Sequence, residues 1–194
     1  MFYSDRSGRY QVWTIAADGG GLTQVTDFPG LVIEPVRSRD ETRAVANVVM
    51  ASKVLMFDPR IPASQQTMEE LPPFSGGGVR ATAWSADGKQ ITGFVNRTVG
   101  GIVIYTVASR TYEQITPSGG AAVWLPDGRR MLYIDGGQRL VLLDLTTKVS
   151  TPVFSSPGET ISAPGLSPDG REIYLVITNR QADIVLAKLT GGGK

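Results

Sequence analysis

Trp84-Ser85-Ala86-Asp87-Gly88-Lys89-Gln90-Ile91 returns as Trp124-Leu125-Pro126-Asp127-Gly128-Arg129-Arg130-Met131, and again as Leu166-Ser167-Pro168-Asp169-Gly170-Arg171-Glu172-Ile173. A weaker copy stands at Val36-Arg37-Ser38-Arg39-Asp40-Glu41-Thr42-Arg43. The aligned aspartates Asp40, Asp87, Asp127 and Asp169 are 47, 40 and 42 residues apart. A fixed period constrains architecture more firmly than local propensity does, and roughly 40 to 50 residues is the length of one four-stranded propeller blade.

Within each copy a short strand ends in Trp or Leu, an Asp-Gly turn follows, and a second strand begins at once. Gly accepts the positive φ of such a turn, and Asp bonds to the backbone ahead of it, so each copy reads as a β-hairpin. A third, mostly apolar strand follows at Gln11 to Ile15, Lys53 to Phe57, Ile102 to Val107, Leu140 to Leu145 and Asp183 to Ala187. Such runs suit strands covered on both faces. A more polar fourth strand is expected at Leu22 to Thr26, Met68 to Leu71, Tyr112 to Thr116 and Thr151 to Phe154, where polarity protects an outer edge. No window carries apolar residues at helical spacing. The expected class is all-β, with about eighteen strands in four to five four-stranded antiparallel blades. The units fall at about 1–30, 31–75, 76–118, 119–158 and 159–190, the first and last incomplete, and 191–194 is a flexible tail.

Composition narrows the chemistry. The 194 residues are 41% hydrophobic with a net charge of +1, and 19 basic residues nearly balance 18 acidic ones. No cationic field exists to hold a phosphate backbone, so nucleic acid is not an expected partner. Cys and His are both absent, which removes disulfides, thiolate metal sites, and the Ser/His/Asp and Cys/His nucleophilic systems. No carboxylate or Lys constellation replaces them, so no enzyme activity and no cofactor are expected. Met1 to Arg9 lacks the pattern of a signal peptide, and no apolar run approaches the ~20 residues that span a bilayer.

The residues that invite functional readings mostly have structural ones. Asp87, Asp127 and Asp169, with Gly88, Gly128 and Gly170, are expected as turn residues rather than calcium ligands. Trp13, Trp84 and Trp124 are expected to pack between blades. The clusters Gly19-Gly20-Gly21, Gly76-Gly77-Gly78 and Gly191-Gly192-Gly193 lack the strand-to-helix context of a phosphate cradle. Arg6, Arg9, Arg97, Arg110 and Arg180 lie near turns and read as solvated charge. The irregular Pro59 to Pro73 connection interrupts the period, so Gln65, Gln66, Glu69 and Glu70 form the candidate partner contact.

The chain resembles the TolB-like propeller repeat, a relative of the WD repeat. Tyr3-Ser4-Asp5-Arg6-Ser7-Gly8, Gln11-Val12-Trp13, Asp18-Gly19-Gly20 and Gln24-Val25-Thr26 match the second half of that repeat. Trp84, Ser85, Asp87, Gly88 and Gln114-Ile115-Thr116 match its first turn and its end. The second unit departs, with Glu41 where Gly is usual and a longer Phe57 to Pro73 connection. The resemblance implies a non-catalytic bacterial scaffold for protein contacts or ligand sensing, in the periplasm or another extracytoplasmic site. Its alternative is an accessory propeller of a larger enzyme, as a hydrolase gate or a serine/threonine kinase appendage. A unit that begins at its second strand and another that stops after its third leave open edges, so a piece of a longer propeller, or self-association through those edges, is expected.

Overall fold

The computed structural model describes residues 1–96, 100–167 and 170–179. Arg97, Asp169, Arg180, the strand expected at Asp183 to Ala187 and the glycine-rich tail lie outside them.

Among the described residues the chain is all-β, with one short 3-10 turn at Ala63–Gln65. Five antiparallel sheets follow in chain order. The first holds β1 (Phe2–Ser4), β2 (Gln11–Thr14) and β3 (Thr23–Gln24). The second holds β4 (Leu31–Arg37), β5 (Ala44–Val49), β6 (Lys53–Phe57) and β7 (Glu69–Glu70). The third holds β8 (Val79–Trp84), β9 (Gln90–Val95), β10 (Ile102–Thr106) and β11 (Thr111–Gln114), and the fourth β12 (Gly120–Trp124), β13 (Arg130–Asp135), β14 (Arg139–Asp144) and β15 (Ser150–Ser155). The fifth contributes β16 (Thr160–Leu166) and β17 (Ile173–Thr178). Within each sheet every strand pairs with its neighbour in sequence, and each substantial contact between sheets joins consecutive blades. The first strands β4, β8, β12 and β16 touch one another from blade to blade, which sets them on the axis. This is a propeller of five blades, three strands in the first.

Strand alternation explains why the middle strands are apolar throughout. Successive side chains leave opposite faces of a strand, and each blade has a neighbour on both sides. In β5, Ala44, Ala46 and Val48, with Val32 of β4, pack against Val12 and Val25 of blade one, while Val45 packs toward blade three with Ala81, Trp84 and Tyr105. In β13, Met131 and Tyr133 meet Ile102 and Ile104, while Leu132 and Ile134 meet Ile161. Burial of each such Val, Leu, Ile or Met side chain is worth roughly 1.5–3 kcal/mol.

Each axial strand also carries a β-bulge, between Ile33 and Val36, Ala81 and Ala83, Gly120 and Val123, and Ser162 and Gly165. The extra residue bends the strand and turns backbone groups away from the ladder. Side chains collect them. Asn47, buried in β5, accepts from the Ala81 backbone N–H at 2.8 Å and donates to the Ala81 carbonyl at 3.1 Å. The Thr82 hydroxyl donates to the Ala122 carbonyl at 2.8 Å. Each bond stitches a blade to the next.

The connection after β6 is ordered. Asp58 accepts from the Arg60 backbone N–H at 2.9 Å and pairs with its guanidinium, and the Gln66 amide donates to the Asp58 and Ile61 carbonyls at 2.7 and 3.0 Å. Glu69 and Glu70 are the outer strand itself, pairing with Met56 and Leu55. Glu70 forms an ion pair with Lys53 at 2.7 Å, and Glu69 forms one with Arg110 of blade three. Gln65 ends the 3-10 turn, exposed.

Candidate binding surface

The residues that lead into the Asp-Gly turns, Ser85, Ala86, Leu125 and Pro126, line one cleft at the ends of the axial strands, the channel mouth of the propeller. In the third blade the Ser85 hydroxyl donates to Asp87 Oδ1 at 2.7 Å, and the Lys89 backbone N–H donates to the same oxygen at 3.1 Å. Ser85 Oγ accepts from the Gln90 N–H at 2.9 Å, and Gly88 N–H closes onto the Ser85 carbonyl. Those donors, Ser85 first, hold the Asp87 carboxyl below its ordinary range. The second blade repeats the device. The Ser38 hydroxyl donates to Asp40 at 2.6 Å and Thr42 adds its hydroxyl and N–H, which lowers Asp40 to about 2. In the fourth blade Leu125 replaces the serine. There burial pushes the Asp127 carboxyl up, and the donors from Arg129 and Arg130 together outweigh it, leaving a lowered value. Gly88, Gly128 and Gly170 have φ of 67°, 66° and 70°, and Glu41, in the glycine position of the second blade, is held at 59°.

The axial strands deliver one residue each to this opening: Arg37 at the end of β4, Trp84 of β8, Trp124 of β12 and Leu166 of β16. With Arg39 and Pro126 they line a cleft of about 350 Å³. Trp84 and Trp124 are both 8% exposed, so most of each indole is packed between blades and one edge faces the cleft. The Trp84 indole N–H donates to the Val36 carbonyl at 3.1 Å, and the Arg43 guanidinium covers the ring at 5.0 Å while donating to the Gly88 carbonyl at 2.7 Å. The Trp124 indole N–H is buried without an acceptor among the described residues. Arg37 pairs with Glu41 at 3.2 Å. Arg39 is exposed and has no hydrogen bond or ion pair among the described residues.

Trp13 occupies a different setting. It lies on the face of β2 opposite Val12, paired across from Phe2, and the Arg6 guanidinium sits 5.1 Å from both rings. Its indole N–H is also buried without an acceptor among the described residues. Arg9 pairs with Asp27 at 2.8 Å. The residues of the channel mouth that sequence reasoning missed are Arg37 and Arg39. Their signal was present, since they flank Ser38 in the weak copy of the repeat, but their convergence with Trp124 and Leu166 depends on how the blades turn about the axis.

No family model matches the chain. The crystal structure of TolB from Acinetobacter baumannii superposes with a TM-score of 0.70 at 18% identity, over 89% of this chain and 44% of that one. A protein assigned as TolB from Agrobacterium tumefaciens gives 0.73 at 17% identity, over 87% and 63%. A TolB homolog from Chlorobium luteolum is 29% identical over 156 residues, 76% of this chain and 34% of the relative. The chain folds as a β-propeller similar to that of TolB. This TolB-like chain spans about a third of the length of the curated relative it matches. Structural likeness at these identities carries the fold.

Proposed function

We propose that this TolB-like propeller is a non-catalytic scaffold that binds another protein at its channel mouth, in an extracytoplasmic compartment. The carrying observation is the convergence of two arginines and two indole edges from three consecutive blades on one opening, with Arg39 free of any described ion pair. Aromatic and arginine side chains dominate the energetics of protein interfaces. A guanidinium without a partner favours a segment presenting a carboxylate, which it can engage in a bidentate pair. The absence of His and Cys from the chain supports a binding role over nucleophilic chemistry. TolB-likeness is the ground for the extracytoplasmic assignment.

The test is site-specific photo-cross-linking in cells of the natural host. A cross-linker at Arg39 or Ala86 is expected to trap one discrete protein, and the Arg37→Glu variant to reduce that adduct. A cross-linker at Thr151 on the outer strand is expected to trap none. Equal trapping at all three positions, or none at the mouth, would overturn the reading.

A further inference from the structure

The opposite face of the second blade carries a feature that the channel mouth does not explain. The β5–β6 hairpin turns through Val49-Met50-Ala51-Ser52, with Met50 at φ 69° and Ser52 at φ 51°. The same turn elsewhere in the repeat is made by glycines: Gly8 at φ 93° in blade one, and Gly136 and Gly137 at 60° and 70° in blade four. A left-handed conformation disfavours any side chain and is most unusual for a long apolar one. Met50 is also 94% exposed, far beyond any other large hydrophobic residue described. Nothing inside the chain is gained from it. Strain at an exposed position points to a role outside the fold.

A hole lies beside this knob. Phe28, Pro29, Leu31, Val48, Lys53 and Glu70 line a cleft of about 630 Å³ with Met50 at its rim. Leu31 and Val49 widen the apolar surface, at 38% and 37% exposed. The Lys53–Glu70 pair leaves the patch neutral. A two-fold axis brings each surface against its own copy, so a knob and its hole must share one patch and unpaired like charges must be absent. This patch meets both conditions, and its neutrality gives an anionic lipid surface nothing to hold.

We propose that the β5–β6 hairpin is a self-association surface, in which Met50 of each copy enters the cleft beside the hairpin of the other. Sedimentation velocity on the 194-residue chain, from low micromolar to several hundred micromolar, is expected to show a rise from one chain to two. Met50→Gly suits the backbone at that turn and should unfold at no lower a temperature than the parent, yet remain a single chain throughout. Met50→Glu should do the same through charge opposition. Val176→Lys, on the exposed side of β17, should leave the dimer intact. A monomer at every concentration, a mass beyond two chains, a dimer that survives both Met50 variants, or one lost in Val176→Lys would each overturn the proposal.

Discussion

At the scale of single residues, positive φ is where the repeat is least tolerant. Glu41 holds at 59° a turn that Gly88, Gly128 and Gly170 make in the other blades. A side chain in that region costs ~1–2 kcal/mol, and the exposed Arg37–Glu41 pair returns only a few tenths. Glu41→Gly is therefore expected to stabilise the chain by about 1 kcal/mol, read as a rise in the urea midpoint with unchanged slope. The glycines differ among themselves. A Cβ at Gly128 would meet nothing within 4 Å, whereas one at Gly170 would lie 2.5 Å from Pro126 of the preceding blade. Gly128→Val should cost ~1 kcal/mol for backbone strain alone, and Gly170→Val about 2 kcal/mol or more. Equal losses in denaturant titrations would mean that the fifth-blade turn does not rest on the fourth.

Elements are joined by groups that the strand pattern does not announce. The hairpins were legible from the Asp-Gly turns, and the middle strands from runs such as Leu140 to Leu145, because local turn chemistry and two-sided burial leave marks in the sequence. The bulges of the axial strands were not, since Ile33-Glu34-Pro35-Val36 and Gly120-Ala121-Ala122-Val123 share no residue pattern. Their consequence, the Asn47 clamp on Ala81, was equally hidden: an asparagine in an apolar strand does not reveal which backbone it will satisfy. The strand position of Glu69 and Glu70 was legible in the Met68 to Leu71 segment, whereas their ion pairs with Arg110 and Lys53 were not. Asn47→Leu leaves the Ala81 N–H and carbonyl buried without partners. A loss of about 2–3 kcal/mol is expected, accompanied by faster amide exchange in β8 before any change in β12.

For the whole molecule, the lowered carboxyls stand on one face. Asp40 and Asp144 lie at about 2, below the ordinary 3.8, held down by Ser38 and Arg129 respectively, and Asp87 and Asp127 are lowered too. The folded chain thus binds fewer protons than the unfolded one in this window. The contribution is complete above about pH 5 and is lost as pH falls from about 4 toward 2. Chemical denaturation across that range should show falling stability, and Asp40→Asn should flatten the slope. Exposure of large hydrophobic side chains is also uneven. Blade three has none among the described residues, while Tyr3, Ile15 and Leu22 in blade one and Ile173, Tyr174 and Val176 in blade five are all more than 40% exposed. Amide exchange is therefore expected to be slowest in β9 and β10 and fastest in β1 to β3 and β16 to β17. Uniform protection would show instead that the blades open as one unit.

Because every described strand pairs inside its own blade and each blade rests on the one before it, assembly of this fold needs closures of no more than about one repeat, such as the 34 residues from Asn47 to Ala81 and the 48 from Val36 to Trp84. The entropic cost of bringing still more distant segments together, which slows many all-β topologies, is thereby limited. Folding can begin in any blade that finds an adjacent one and spread outward as a front, with a cooperativity set by the interfaces rather than by the number of blades. A chain built this way can gain or lose a unit in evolution while the remaining units keep the contacts through which they fold.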